Sequence, residues 1–171
     1  VSPIVLASYV SVEDGTGLAN AESYIAVADA DARHAALGNS GWTGSDTVKE
    51  AALRRATQFM EQAYRSIWKG TRLTRVQALS WPRYGATVDG YDLASNVVPT
   101  EIANACADLA LRGLTADLNA DQTRGIVREK VGPLETEYDR NSPQGTRYRS
   151  VDMILAPFLK GSSAMVGLVR A

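Results

Sequence analysis

TGSDTVKEAALRRATQFMEQAYRSIWKG, Thr43 to Gly70, decides the fold class. Apolar residues recur at Val48, Ala52, Ala56, Phe59, Met60, Ala63 and Ile67, the i, i+3, i+4 spacing of one helical face. Lys49, Glu50, Arg54, Arg55, Gln58, Glu61 and Arg65 fall on the other side. Glu50–Arg54 and Glu61–Arg65 are acid-first pairs four apart, each adding about 0.2–0.5 kcal/mol to an isolated helix. Thr43 or Ser45 caps the start, Asp46 meets the positive end of the helix dipole, and Gly70 is a stop. A helix of this length would be the longest element, and the other segments are expected to pack on it.

The composition is that of a soluble globular protein. With 45% hydrophobic and 22% charged residues, the 171-residue chain reads as one domain with a real core. Its 18 basic and 19 acidic residues leave a net charge of −1, which argues against a strong non-specific polyphosphate binder but is compatible with a local basic face. A single cysteine excludes an internal disulfide, and Cys106 in ANACADLAL reads as a small buried hydrophobe. The apolar run Pro3 to Leu6 is too short for a membrane span and lacks the basic flank of a signal peptide, so cytoplasmic synthesis and use, away from membranes, are expected.

Outward from the long helix, Ser8 to Val12 reads as extended, broken by the glycines of Glu13-Asp14-Gly15-Thr16-Gly17. That loop has two carboxylates at the wrong spacing for a calcium loop and reads as a plain turn. Val27–Leu37 suits a short helix ended by Gly38; its His34 is a surface or packing residue, and Trp42 plugs the joint to the long helix. Trp68, Trp81 and Arg83 are packing anchors near the far end of that helix, and Pro82 forces any intervening helix to stop before Trp81. Residues 84–97 form a surface loop with a turn at Asp89-Gly90.

Pro99 opens a second strong helix over 99–114. Ile102, Cys106, Leu109 and Ala110 lie on one face and Ala107, Leu111 and Leu114 on another, which implies burial on two sides. Residues 126–131 and 134–138 alternate around Gly132-Pro133 as two strands with one wet face carrying Glu135 and Glu137. Ser150 caps a short helix bearing Val151, Ile154, Leu155 and Phe158, which Pro157 shortens. After Gly161-Ser162-Ser163 the apolar AMVGLVRA reads as a tail that docks on a partner. The expected fold is therefore mainly α, a small helical bundle with a minor β-hairpin element and extended N- and C-terminal segments. Residues 1–160 would be the domain and 161–171 a flexible docking tail.

A reaction centre is not evident. One histidine and one cysteine in unrelated segments suggest no zinc cluster and no Cys/His pair, Gly15-Thr16-Gly17 is not a phosphate loop, and no serine sits in a nucleophile elbow. No catalytic residue, metal or cofactor is expected, and the chain does not read as an enzyme.

Six landmarks in order carry a resemblance: VEDGTGLANAESYI (12–25), EAALRRAT (50–57), QALSWPR (77–83), VPTEIANACADLAL (98–111), EKVGPLETEYD (129–139) and RYRSVDMILAPFL (147–159). They resemble the tailed-bacteriophage head–tail connector, or adaptor, proteins, which are often labelled DnaT-like single-stranded-DNA-binding proteins. The resemblance implies a ring-forming homo-oligomer, twelve-fold in the virion, under the portal of the capsid, assembled in the host bacterial cytoplasm. It would meet the portal protein and a downstream neck or tail protein, and packaged DNA would pass through its channel without specific binding. Residues 161–171 lie outside the resemblance, and on their apolar character alone Met165, Val166, Leu168, Val169 and Arg170 are expected to dock on the portal or a neighbour; Ala107, Leu111 and Leu114 are expected to form the subunit interface. The alternative is a single-stranded-DNA-binding module. There Trp68, Trp81, Tyr84 and Tyr91 would stack on bases while Lys69, Arg72, Arg75 and Arg83 meet phosphates.

Overall fold

A computed structural model describes residues 9–120 and 148–161 in full, and 128–131 and 134–137 as backbone strands. Among the described residues four helices form the body: α1 (Val27–Ala36), α2 (Asp46–Tyr64), α3 (Thr100–Gly113) and α4 (Arg149–Leu155), the last continued by a 3-10 turn, Ala156–Phe158. The described strands pair antiparallel as two-stranded ladders: β1 (Thr71–Arg72) with β2 (Arg83–Tyr84), β3 (Thr87–Val88) with β4 (Tyr91–Asp92), and β5 (Arg128–Val131) with β6 (Leu134–Glu137). The hairpin expected around Gly132-Pro133 is β5–β6, in register from Arg128↔Glu137 to Val131↔Leu134. The two other ladders make the fold more mixed than a bundle with a single hairpin.

The core lies where α2 meets α3. Ala52, Leu53, Ala56 and Met60 are fully buried against Ile102, Ala105, Cys106, Leu109 and Ala110, and the alanines and Cys106 among them let the two helices approach closely. Cys106 is buried, with its thiol 3.3 Å from the Thr57 hydroxyl, and burial pushes its pKa up. Val151 and Leu155 of α4 close the far side of α3.

The long helix is shorter, and turned, relative to the sequence pattern. Ser45 caps it, accepting from the Val48 N–H at 3.4 Å, but it ends at Tyr64, six residues before Gly70. Leu53, Thr57 and Tyr64 are buried, whereas Val48, Ala63 and Ile67, assigned to the apolar face, are exposed. The chain leaves the helix early because Trp68 is drawn into the interior, where its backbone bridges Leu159 and its ring packs 5.7 Å from Tyr64 and 5.8 Å from Trp81. Glu50, placed on the wet side by periodicity, is buried and paired with Arg54 at 3.6 Å; Arg54 reaches on to Glu22 at 3.1 Å and ties the N-terminal segment to α2. Glu61 makes no pair with Arg65 among the described residues and accepts from Tyr24 and Ser80 instead. Ser150 is not the cap of α4 either: Tyr148 holds that position, and the Ser150 hydroxyl accepts from Arg112 at 2.9 Å.

His34 is a buried packing residue. Its Nε2 lies 3.1 Å from the Ala107 carbonyl and its Nδ1 3.0 Å from the Asn39 amide, with Trp42 against the ring at 4.8 Å. The Trp42 indole donates to Asp31 at 2.5 Å, which closes the joint between α1 and α2 as expected. The turn at Glu13 is organised from inside: this buried carboxylate accepts from the Gly15, Gly17 and Leu18 N–H groups at 2.8–3.0 Å.

Two stability predictions follow from local geometry. Gly70 (φ 67°) lies so close to β2 that a Cβ would sit 2.4 Å from the Tyr84 carbonyl oxygen, while Gly85, also at φ 67°, has open space around it. Gly85→Ala should cost about 1 kcal/mol from the left-handed backbone alone, and Gly70→Ala more than about twice that, read by urea denaturation. Burial, partly offset by the Ala107 carbonyl and the Asp108 carboxylate, lowers the His34 pKa. The unfolded chain therefore binds a proton more readily than the native one. Stability should be full above about pH 6.5 and fall as pH drops from there through the lowered native value. Melting at pH 5.5 should occur below melting at pH 7.5, and His34→Gln should shrink that difference; an unchanged difference would assign the acid sensitivity elsewhere.

Candidate functional site

Between residues 65 and 92 the chain carries Arg65, Lys69, Arg72, Arg75 and Arg83 against only Asp89 and Asp92. This segment builds a β lobe at the C-terminal end of α2, made of β1–β2 and β3–β4 in succession. Trp68 and Trp81 form its floor. Both are fully buried, edge to face at 5.8 Å, and Trp81 meets Phe158 at 5.8 Å. The peptide bond between Trp81 and Pro82 is cis.

Arg83 locks the lobe together. Its buried guanidinium donates to three backbone carbonyls, Lys69 at 2.6 Å, Gly70 at 2.7 Å and Ser80 at 3.0 Å, and burial lowers its pKa. A second lock joins the lobe to the body. The buried Tyr24 hydroxyl donates to Glu61 and accepts from the Ser80 N–H at 3.1 Å, while the Ser80 hydroxyl donates to Glu61 at 2.7 Å. Burial, and next to it the Glu61 charge, raise the Tyr24 pKa well above its ordinary value. Gln77 braces the loop between the strands, its amide donating to the Leu79 and Pro82 carbonyls at 2.8 and 3.0 Å.

On this rigid base some side chains face water. Tyr84 is 68% and Tyr91 78% exposed. The β3–β4 turn holds Asp89 at φ 52° and Gly90 at φ 84°, the paired left-handed residues of a tight two-residue hairpin, and so fixes where Tyr91 projects. Arg65 and Arg75 are exposed; Lys69 is half-buried and reaches the Thr87 carbonyl at 3.1 Å. Arg72 is half-buried, donates from one nitrogen to the Gln77 carbonyl, and has no partner for Nε. None of the five cations lies within ion-pair distance of a described carboxylate, whereas Arg33, Lys49 and Arg54 on the helices are neutralised by Asp108 (2.8 Å), Asp31 (2.8 Å) and Glu22 (3.1 Å).

The structure thus divides the residues weighed for DNA contact. Trp68, Trp81 and Arg83 are interior and cannot meet a strand from where they stand, while Lys69, Arg72, Arg75, Tyr84 and Tyr91 share one lobe. Arg65 was missed because periodicity assigned it to the wet side of a helix that ends one residue earlier. Of the subunit-interface candidates, Ala107 is fully buried within its own chain under His34, and Leu111 and Leu114 are partly buried against the same core. Met165, Val166, Leu168, Val169 and Arg170 lie outside the described residues.

Elsewhere, a shallow cleft between α1 and α2 is lined by Asp31, His34, Asn39, Trp42 and Lys49. Burial pushes the Asp31 carboxyl up, but Lys49 and Trp42 outweigh it and leave the pKa lowered, so the acid is already committed. Among the described residues no group of three His, Cys, Asp or Glu side chains could hold a metal ion.

A family model described as "Putative DnaT-like ssDNA binding protein" matches residues 9–171. No curated protein and no solved structure matches the chain. The match corrects the head–tail connector assignment: the ordered landmarks from VEDGTGLANAESYI to RYRSVDMILAPFL lie inside a family described by single-stranded-DNA binding, not by joining capsid to tail. The chain belongs to the DnaT-like single-stranded-DNA-binding protein family.

Proposed function

We propose that the chain is a non-catalytic module that binds single-stranded DNA on the β lobe. Tyr84 and Tyr91 present ring faces to unstacked bases, and Lys69, Arg72 and Arg75 meet the phosphates. The observation that carries this reading is the coincidence of two exposed tyrosines with cations that no described carboxylate neutralises. A base stacked on an aromatic ring contributes about 1–3 kcal/mol whatever its identity, and such stacking requires bases that are not already paired. Duplex DNA offers the cations its phosphates but denies the tyrosines its base faces, so single strands should be preferred.

The test is fluorescence anisotropy with a labelled single strand of about 16 nucleotides, near the upper site size of compact single-strand binders. Three phosphate contacts give a slope of log K against log salt of about −2. Lys69→Ala with Arg75→Ala should flatten the slope to about −0.7. Tyr84→Ala and Tyr91→Ala should each weaken binding about tenfold and leave the slope unchanged. Absence of binding at low salt, or binding indifferent to all four substitutions, would remove the reading.

A further inference from the structure

Arg72 ends β1, Arg75 sits at a bend in the loop that follows, and one buried side chain braces both. Gln77 is 2% exposed. Its Oε1 accepts from the Thr74 N–H at 2.7 Å, and the Thr74 hydroxyl accepts from the Gln77 N–H at 3.0 Å. These reciprocal bonds close residues 74–77 into a ring with Arg75 and Val76, both exposed, at its outer corner. The Gln77 carbonyl receives the Arg72 guanidinium, while the Gln77 amide runs on to the Leu79 and Pro82 carbonyls at 2.8 and 3.0 Å. The turn organised by Glu13 backs the ring from the N-terminal segment. There the Leu18 carbonyl accepts from the Ala78 N–H at 2.8 Å, and a Cβ on Gly17 would lie 3.2 Å from the Thr74 side chain and 3.4 Å from that of Gln77. Residues 73–82 belong to no helix or strand, so the place of Arg75 is set by these bonds.

We infer that Gln77, closed on Thr74, is a positioning residue for single-strand binding: it holds Arg75 ready for its phosphate and sets its separation from Arg72. The inference rests on the single-strand reading above. Gln77 lies too deep to meet DNA and acts only through the two arginines. A cation on a loose loop must be ordered when the phosphate arrives, and that ordering weakens binding. A loop already closed through buried groups has been ordered by folding, so the contact forms without that loss.

The experiment is a double-mutant cycle between Thr74 and Arg75, read by anisotropy of the labelled single strand on the full chain. Thr74→Val removes the hydroxyl at nearly constant shape, and Thr74→Ala removes it without setting a methyl group against Gln77. Each should weaken binding about fivefold, the effect of having to order one rotamer-rich side chain on binding. Thr74→Ser keeps the hydroxyl and should restore the native affinity. In the Arg75→Ala background, Thr74→Val should cause little further loss, because the cation it would release is gone. An unchanged circular dichroism spectrum checks that each variant is folded. An equal loss in both backgrounds overturns the positioning role and assigns the bond to the stability of the lobe alone. Native affinity in both Thr74→Val and Thr74→Ala overturns the inference and leaves single-strand binding standing. Failure of the native chain to bind overturns the single-strand reading and this inference together.

Discussion

A guanidinium withdrawn from water loses several kcal/mol of hydration unless its donors are satisfied, and Arg83 meets this with backbone carbonyls alone. Those carbonyls come from residues 69 and 70, just past α2, and from residue 80, just before the cis proline, so one side chain fixes the separation of two segments that have little secondary structure of their own. Carbonyl acceptors satisfy the donors without cancelling the charge. Arg83 is therefore a structural cross-link and also a fixed positive charge beneath the lobe. Lys69, held by its own carbonyl, and Tyr84, next to Arg83 on β2, inherit their positions from it.

Below Arg83 lies the aromatic floor, and it explains why the lobe is not simply an extension of the helices. Tyr64, Trp68, Trp81 and Phe158 touch in series at 5.7–5.8 Å, so the end of α2, the strand loop and the turn after α4 share one hydrophobic seat. Burying tryptophan there is worth more than another turn of helix, since a large aromatic side chain buries 150–250 Å². The Lys69 N–H and the Lys160 N–H extend this seat as a short backbone pairing with Phe158 and Ile67. The exposed residues above it are held in place by interior contacts that never meet solvent.

Much of this was legible in the sequence where one local rule dominates. The left-handed Asp89-Gly90 turn, the Ser45 cap and the anchoring tryptophans are each fixed by a few neighbouring residues. The misreadings arise where a distant group outcompetes the local one. Glu61 abandons Arg65 for Tyr24 and Ser80, and Thr57 and Leu53 take core positions that periodicity gave to Val48 and Ile67. For the site, Lys69, Arg72, Arg75, Tyr84 and Tyr91 could be collected from residue type, and reading Trp68, Trp81 and Arg83 as packing anchors already sets those three apart, although aromatic and cationic residues suit a strand contact as well. The six landmarks suggest head–tail connectors, an assignment the family match overturns, because packing motifs such as QALSWPR report how the lobe is built and are silent on what it touches.

Net charge describes the lobe poorly for a related reason. A total of −1 is an average over a chain whose first 32 residues contain five carboxylates and no lysine or arginine, while residues 65–92 hold five cations and two carboxylates. Screening extends over only about 8 Å at physiological ionic strength, so a phosphate approaching the lobe responds to the nearest side chains and hardly to the total. Several of the acids in the first segment also have partners: Glu13 its own turn, Glu22 Arg54, Asp31 Lys49 and Trp42. Among the described residues Arg33, Lys49 and Arg54 of the helices have carboxylate partners, whereas the five cations of the lobe have none. On the single-strand reading, that contrast places the attraction for phosphates beside the exposed Tyr84 and Tyr91.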